Sequence, residues 1–222
     1  MMLRAYPDRD VWAEGAAAAI AADLGAALAR GAGASLALPG GTTPAPILAR
    51  LAQMPLDWAR VTVFAADERC VPEGDARSNT GLLRAHLGQG PAAAARILSL
   101  ALAVPTAEGV ARLGAELGPH LPPAVLLAGM GADMHTASLF PDAPELGAAL
   151  APDAPPLMLL HPPGQPEARL SLSARMLSGA GAIHLAITGA DKRAALDRAA
   201  GLAPQIAPVA AILPRATVHW SV

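Results

Sequence analysis

The sequence is poor in cysteine: Cys70 is the only one. No internal disulfide can form, and one unpaired thiol fits a reducing compartment, so a cytoplasmic protein is expected. Aromatic residues make up 3% of the chain and charged residues 15%. With so few large anchors, and with alanine supplying much of the apolar content, helices packed closely on a sheet are expected rather than a β-sandwich. Sixteen basic residues oppose eighteen acidic ones, which leaves no basic footprint for nucleic acid. No apolar run reaches the ~18 residues that a membrane-spanning helix needs. The best stretch, Ala16 to Leu38, is interrupted by Asp23, Arg30 and several glycines. The first ten residues carry Arg4, Asp8, Arg9 and Asp10, which is not the pattern of a signal peptide.

Against these absences stands an apolar content of 53% over 222 residues. A chain of that length buries roughly 70% of its unfolded surface and needs no disulfide or metal staple. One α/β unit over 1–222 is expected. Helical and strand-like segments alternate along it. Asp10 is a candidate cap for a helix running to Arg30, with Gly31 and Gly33 as stop signals. Ser35–Leu38, Arg60–Ala66, Ala124–Ala128 and Ala182–Thr188 read as buried strands, and Ile97–Leu100 as a weak one. Ser78 through Leu87, Ala107–Leu117 and Ala190–Ala200 read as helices, and Pro141–Pro156 as irregular. Thr217–Trp220 reads as a last short strand. This alternation predicts a three-layer α/β/α sandwich with a mostly parallel, Rossmann-like sheet. The pair Leu157–Leu160 and Arg169–Ser173 adds a short antiparallel stretch.

Four polar motifs lie just after predicted strands, where the ligands of open α/β sheets sit. Pro39-Gly40-Gly41-Thr42-Thr43-Pro44 joins a strand to a helix. Its glycines let backbone N–H groups approach an anion, and the threonine hydroxyls add donors; the plainer alternative is an ordinary tight turn. Asp67-Glu68-Arg69 sets three charges directly after a buried strand, which is costly unless they meet solvent or partners. Arg69 suits a bidentate phosphate clamp, with Asp67 and Glu68 positioning it or meeting sugar hydroxyls; a solvated loop is the alternative. Gly129-Met130-Gly131-Ala132-Asp133-Met134-His135 places an imidazole in a glycine-rich loop. Histidine, with an ordinary pKa of about 6.5, suits proton transfer near neutrality, and Asp133 is near enough to orient it. One Asp and one His do not make a metal set. Lys192, in Thr188-Gly189-Ala190-Asp191-Lys192, falls in the first turn of a helix, where the dipole opposes a cation unless an anion lies nearby. His86, His120, His184 and His219 read as structural or surface residues, the tryptophans as packing anchors, and Cys70 as lacking a histidine partner.

Taken in order, these segments resemble the 6-phosphogluconolactonase family: Leu38–Pro44, Asp67–Pro72 with Asp75 and Ser78-Asn79, Gly129–Pro141, Arg169–Ser173, and Thr188-Gly189 with Lys192. Two positions depart from the family's usual residues. Pro39 stands where serine is usual, and Met134 where glycine is usual; if position 134 needs a positive φ, methionine costs roughly 1–2 kcal/mol there. The resemblance implies hydrolysis of a phosphosugar lactone with no cofactor and no metal, by a monomer or small homo-oligomer that binds neither nucleic acid nor membrane. It implies a phosphate seat at Gly40, Gly41, Thr42 and Thr43 with Arg69 and Lys192, and Arg169 as a further cation. His135 would be the general base, Asp133 its orienting partner, and Asp67 a sugar contact. A glucosamine-6-phosphate deaminase-like enzyme is the nearest alternative, disfavoured because Thr136–Pro141 lacks an acidic residue. A non-catalytic sugar-phosphate-binding module is the other.

Overall fold

The computed structural model describes residues 1–222. In chain order the elements are β1 (Met2–Tyr6), α1 (Arg9–Arg30), β2 (Ala34–Leu38), α2 (Ala45–Leu51), β3 (Val61–Ala65), β4 (Asp67–Arg69), α3 (Asn79–Leu87), β5 (Arg96–Ile97), α4 (Ala107–Leu117), β6 (Val125–Ala128), α5 (Leu146–Leu150), β7 (Leu157–Leu160), β8 (Arg169–Leu172), α6 (Ala174–Ser178), β9 (Ala182–Thr188), α7 (Ala190–Ala199) and β10 (Ala216–Ser221). Seven strands form a parallel sheet in the order β1-β10-β9-β6-β2-β3-β5. The antiparallel addition is a separate sheet of three strands, β4-β8-β7.

Parallel connections cross right-handed. The steps from β1 to β2, β3 and β5 all move toward one edge, so α1, α2 and α3 cover one face. The chain then reverses from β5 to β6, and α4 and α7 cover the other face. The switch falls between β2 and β6, which are hydrogen-bonded neighbours. Loops leaving these two strands turn to opposite faces and open a crevice between them, the usual ligand position in such sheets.

Burial follows from this layering. β2 and β6 are covered on both faces and buried at every position, which explains why they are apolar but for Ser35, whose Oγ accepts from Ala124 N at 3.0 Å. A cluster of 59 buried apolar residues runs through the sheet and its helices. α1 is long and apolar enough to resemble a membrane span. Here its apolar stripe, including Trp12, Ile20, Leu24 and Leu28, is spent on the sheet; truncating a buried Ile or Leu of that stripe to alanine would cost about 2–5 kcal/mol.

Three local expectations need correction. The cap of α1 is Asp8, whose Oδ1 accepts from Val11 N at 2.8 Å; Asp10 lies inside the helix and pairs with Arg50 at 2.7 Å. The Pro141–Pro156 segment is not wholly irregular, since α5 forms within it where Leu146 and Ala149 reach the core. The Asp67–Arg69 triplet is not a loop but β4, paired with β8.

Candidate active site

β2 delivers the Pro39–Pro44 loop to the crevice. Gly41 adopts φ +87°, a left-handed conformation that glycine adopts without strain. The N–H groups of Gly40, Gly41, Thr42 and Thr43 are spent on no protein acceptor, and all four residues line the crevice. Unpaired amides converging from one turn make an anion seat. Pro39, which has no N–H, contributes only shape.

β4 explains how three charges follow a buried strand. Glu68 does not meet a sugar. It is fully buried, and its carboxylate accepts from Asn79 N and Thr80 N at 2.7 Å, Arg69 N at 2.8 Å and Ser78 Oγ at 3.1 Å. A carboxylate over the first amides of α3 satisfies donors that the helix leaves open. Its neighbours then alternate across the strand. Asp67 reaches the crevice wall, its Oδ2 accepting from Ser138 Oγ at 2.6 Å. Arg69 also lines the wall; its Nη1 donates to the Arg77 carbonyl at 2.5 Å, while its buried Nε has no partner.

Arg169, the expected further cation, is not on the wall. It pairs across the strands with Arg69 in a position only 6% exposed, where Nη2 donates to Gln165 Oε1 at 2.6 Å. Burial, followed by the adjacent Arg69 charge, pushes its guanidinium below arginine's ordinary range. The strand register itself sets it beside Arg69, one strand further from the crevice.

β6 ends in the His135 loop, which closes tightly: Gly131 N donates to His135 O at 2.9 Å and Met134 N to Gly131 O at 3.1 Å. Met134 adopts φ 66° and Ala137 φ 49°. Two non-glycine residues in the left-handed region therefore flank His135, at roughly 1–2 kcal/mol each. One hydrogen bond from outside the loop and one across it hold this strain. Val209 N donates to Met134 O at 3.0 Å, and Thr136 Oγ1 to Gly129 O at 2.9 Å. His135 Nδ1 lies 2.6 Å from Asp133 Oδ1, and its ring stacks on Phe140 at 4.0 Å between centroids. A Cβ on Gly131 would stand about 2 Å from both partners, at 2.1 Å from His135 Nδ1 and 2.2 Å from Asp133 Oδ1. With Nδ1 engaged, Nε2 is the ring nitrogen left for a ligand.

β9 ends at Thr188, and Gly189 with φ 87° turns the chain into α7. Lys192, in the first turn, folds its ammonium back onto Met130 O at 2.7 Å. Burial holds its pKa below lysine's ordinary range, and the Asp133 charge opposes that shift. Arg9, which the motifs did not single out, reaches the same edge by donating to Thr188 Oγ1 at 2.7 Å.

The crevice has a volume of about 290 Å³. Gly40, Gly41, Thr42, Thr43, Asp67, Arg69, His135 and Lys192 all line it. Asp133 joins it through His135, whereas Arg169, beside Arg69, does not line it. Cys70 does not line it, and burial pushes its thiol up to about 11. No group of three or more His, Cys, Asp or Glu side chains is placed to hold a metal ion. Sequence reasoning missed the part that Asn79 and Ser138 play in holding Asp67. Ser138, between Ala137 and Leu139, offered a signal; Asn79, among Arg77, Ser78 and Thr80, offered none.

An α/β protein with an anion loop and a histidine at its sheet switch point is the class that this geometry defines. The family model for glucosamine-6-phosphate isomerases/6-phosphogluconolactonase matches residues 7–220, and the chain belongs to that family. It is 42% identical over 217 residues to the 6-phosphogluconolactonase of Pseudomonas aeruginosa, covering 94% of this chain and 90% of that one. It is 40% identical over 215 residues to the 6-phosphogluconolactonase of Caulobacter vibrioides, covering 95% and 91%. Among solved structures, the 6-phosphogluconolactonase of Shewanella baltica superposes with a TM-score of 0.95 at 29% identity, covering 100% of this chain and 98% of that one. A monomeric glucosamine-6-phosphate deaminase, at 16% identity and a TM-score of 0.79, shares the fold alone.

Proposed function

We propose that the chain hydrolyses 6-phospho-D-glucono-1,5-lactone to 6-phospho-D-gluconate, the lactone-opening step of the oxidative pentose phosphate pathway. The observation that carries this reading is the meeting, in one crevice, of four unpaired loop amides and two cations with an imidazole held by a carboxylate. The similarity to lactonases over nearly the whole chain supports it.

In this scheme the substrate phosphate rests on the Gly40–Thr43 amides with Arg69 and Lys192 as counter-charges. Arg169 adds to the positive field without touching the ligand. Neutral His135 donates Nδ1–H to Asp133, so its Nε2 lone pair takes a proton from water as the oxygen attacks the lactone carbonyl. The tetrahedral oxyanion collapses, the ring C–O bond breaks, and the imidazolium returns the proton to the departing ring oxygen. Asp67, held as an acceptor by Ser138, orients a sugar hydroxyl. A δ-lactone opens in water unaided, so acid–base help of about 10²–10⁴-fold together with positioning suffices.

The test is lactone opening on freshly generated substrate, corrected for spontaneous decay. Wild type is expected to turn over, and His135→Ala to lose turnover while still binding 6-phosphogluconate. Lys192→Ala is expected to raise KM chiefly. Absence of turnover in the wild type, or release of ammonia from glucosamine 6-phosphate, overturns the assignment.

A further inference from the structure

The proposed chemistry gives no role to Asn79, yet this residue touches both ends of the crevice. It opens α3, and its backbone N–H is pinned by the buried Glu68 carboxylate at 2.7 Å. Its side chain lines the crevice although the residue is only 2% exposed. Nδ2 donates to the Asp67 carbonyl at 2.7 Å and reaches Asp67 Oδ1 at 3.4 Å. On the other side the amide lies against Gly40. A Cβ at Gly40 would stand 1.8 Å from Asn79 Oδ1, 2.2 Å from Cγ and 2.6 Å from Nδ2.

Position 40 therefore has room only for glycine, and what fills the space is a side chain from another element. Gly40 is not among the positive-φ glycines, so close approach, not backbone conformation, is what demands glycine here. Asn79 Oδ1 is buried and has no hydrogen-bond partner. An orphaned buried acceptor costs free energy, so packing alone does not account for an amide at this place. A planar amide does account for it: one edge donates to Asp67 while the flat body sets how near the loop comes.

We propose that Asn79 is a positioning residue: a spacer that fixes the separation between the phosphate-holding loop and the sugar-facing carboxylate of Asp67, and so the length of phosphosugar that the crevice accepts. This rests on the proposed seat of the phosphate. It makes a distinctive demand. Phosphate alone needs only the loop, whereas a phosphosugar needs both ends in register.

The experiment compares inorganic phosphate with 6-phosphogluconate by calorimetry on the whole chain, with lactone kinetics alongside. Asn79→Ala is expected to weaken 6-phosphogluconate about tenfold and to leave inorganic phosphate within about threefold, with KM rising more than kcat falls. Gly40→Ala is expected to weaken both ligands, because its Cβ meets the amide. Adding Asn79→Ala to it is expected to restore inorganic phosphate binding, since the obstructing amide is gone. Equal losses of both ligands in Asn79→Ala, no loss of either, or strictly additive losses in the double variant overturn the proposal. Asn79→Ala alone decides the matter if Gly40→Ala fails to fold, as judged by thermal melting. If the wild type opens no lactone, the functional reading fails, while the two-ligand comparison still reports on the spacer.

Discussion

The molecule contains two histidine–aspartate pairs in opposite surroundings. In the crevice, His135 and Asp133 meet at 2.6 Å with side chains 29% and 48% exposed, and one ring nitrogen stays free. Under α1, His184 Nε2 meets Asp23 Oδ2 at 3.0 Å with the imidazole 3% exposed. There the pairing continues: His184 Nδ1 lies 3.0 Å from His219 Nε2, and His219 Nδ1 lies 2.8 Å from the Tyr6 hydroxyl. Since Asp23 only accepts, one neutral arrangement satisfies every link: Tyr6 O–H donates to His219, His219 to His184, and His184 to Asp23. No nitrogen remains for chemistry. The same two residue types thus make a reactive group where a nitrogen is left over and a structural clasp where none is.

Exchange of roles under mutation tests this contrast. His135→Ala is expected to lower kcat by about 10²–10⁴-fold and to leave the melting temperature nearly unchanged. His184→Ala is expected to do the reverse, costing about 3 kcal/mol by leaving His219 and Asp23 unpaired with kcat within about twofold. Denaturant titration and lactone assays on both variants check the pair; a His184→Ala enzyme that is stable but inactive breaks the contrast.

Acid sharpens it. Burial is the main cause that pushes His219 down to about 3, with the charges of His184 and Arg4 adding to it; burial also lowers His184, against the pull of Asp23. Unfolded histidines take up a proton near 6.5. The folded state binds fewer protons below that point, so stability is complete above pH about 6.5 and falls as pH drops toward 3, by on the order of 3 kcal/mol by pH 4. Urea titrations at pH 7 and pH 4.5 measure it, and His184→Ala should flatten the slope. Asp133→Asn is expected to lower kcat about tenfold, worth ~1.4 kcal/mol, whereas Asp23→Asn, which keeps an acceptor, costs under about 1 kcal/mol. The smallest effect belongs to Met134→Gly. Relief of the positive φ, partly offset by glycine's greater chain entropy, is expected to stabilise by under about 1 kcal/mol, read as a small rise in denaturation midpoint.

The crevice was the legible part of the sequence because its polar, glycine-rich loops follow strands that are mostly apolar. α4 was legible to the residue because Ala107–Leu117 has the helical period. β1 was not, since an edge strand with mostly exposed side chains has no apolar alternation to read. β4 was hidden because its Glu68 carboxylate is satisfied ten residues or more away, by the Ser78 hydroxyl and the Asn79 and Thr80 amides. Asp8 caps α1 in place of the expected Asp10, which lies inside the helix and pairs with Arg50, forty residues distant. The histidine clasp joins residues 161 and 35 positions apart, and no local pattern announces it. Glu68 was misassigned for the same reason: a carboxylate beside a ligand cation and a carboxylate capping a helix look alike in one dimension.

The pairing of β1 with β10, Met2 to Thr217 through Tyr6 to Ser221, has a bearing on biosynthesis. β1 therefore has as its sheet neighbour a strand made more than 200 residues later. At roughly 5–20 residues per second, residues 2–6 wait on the order of 10–40 s for residues 216–221, with Tyr6 lacking its imidazole for the whole interval. Residues 2–6 therefore dock only once β10 has been made, and the sheet gains that edge after the strands between them in sequence are already available to pair.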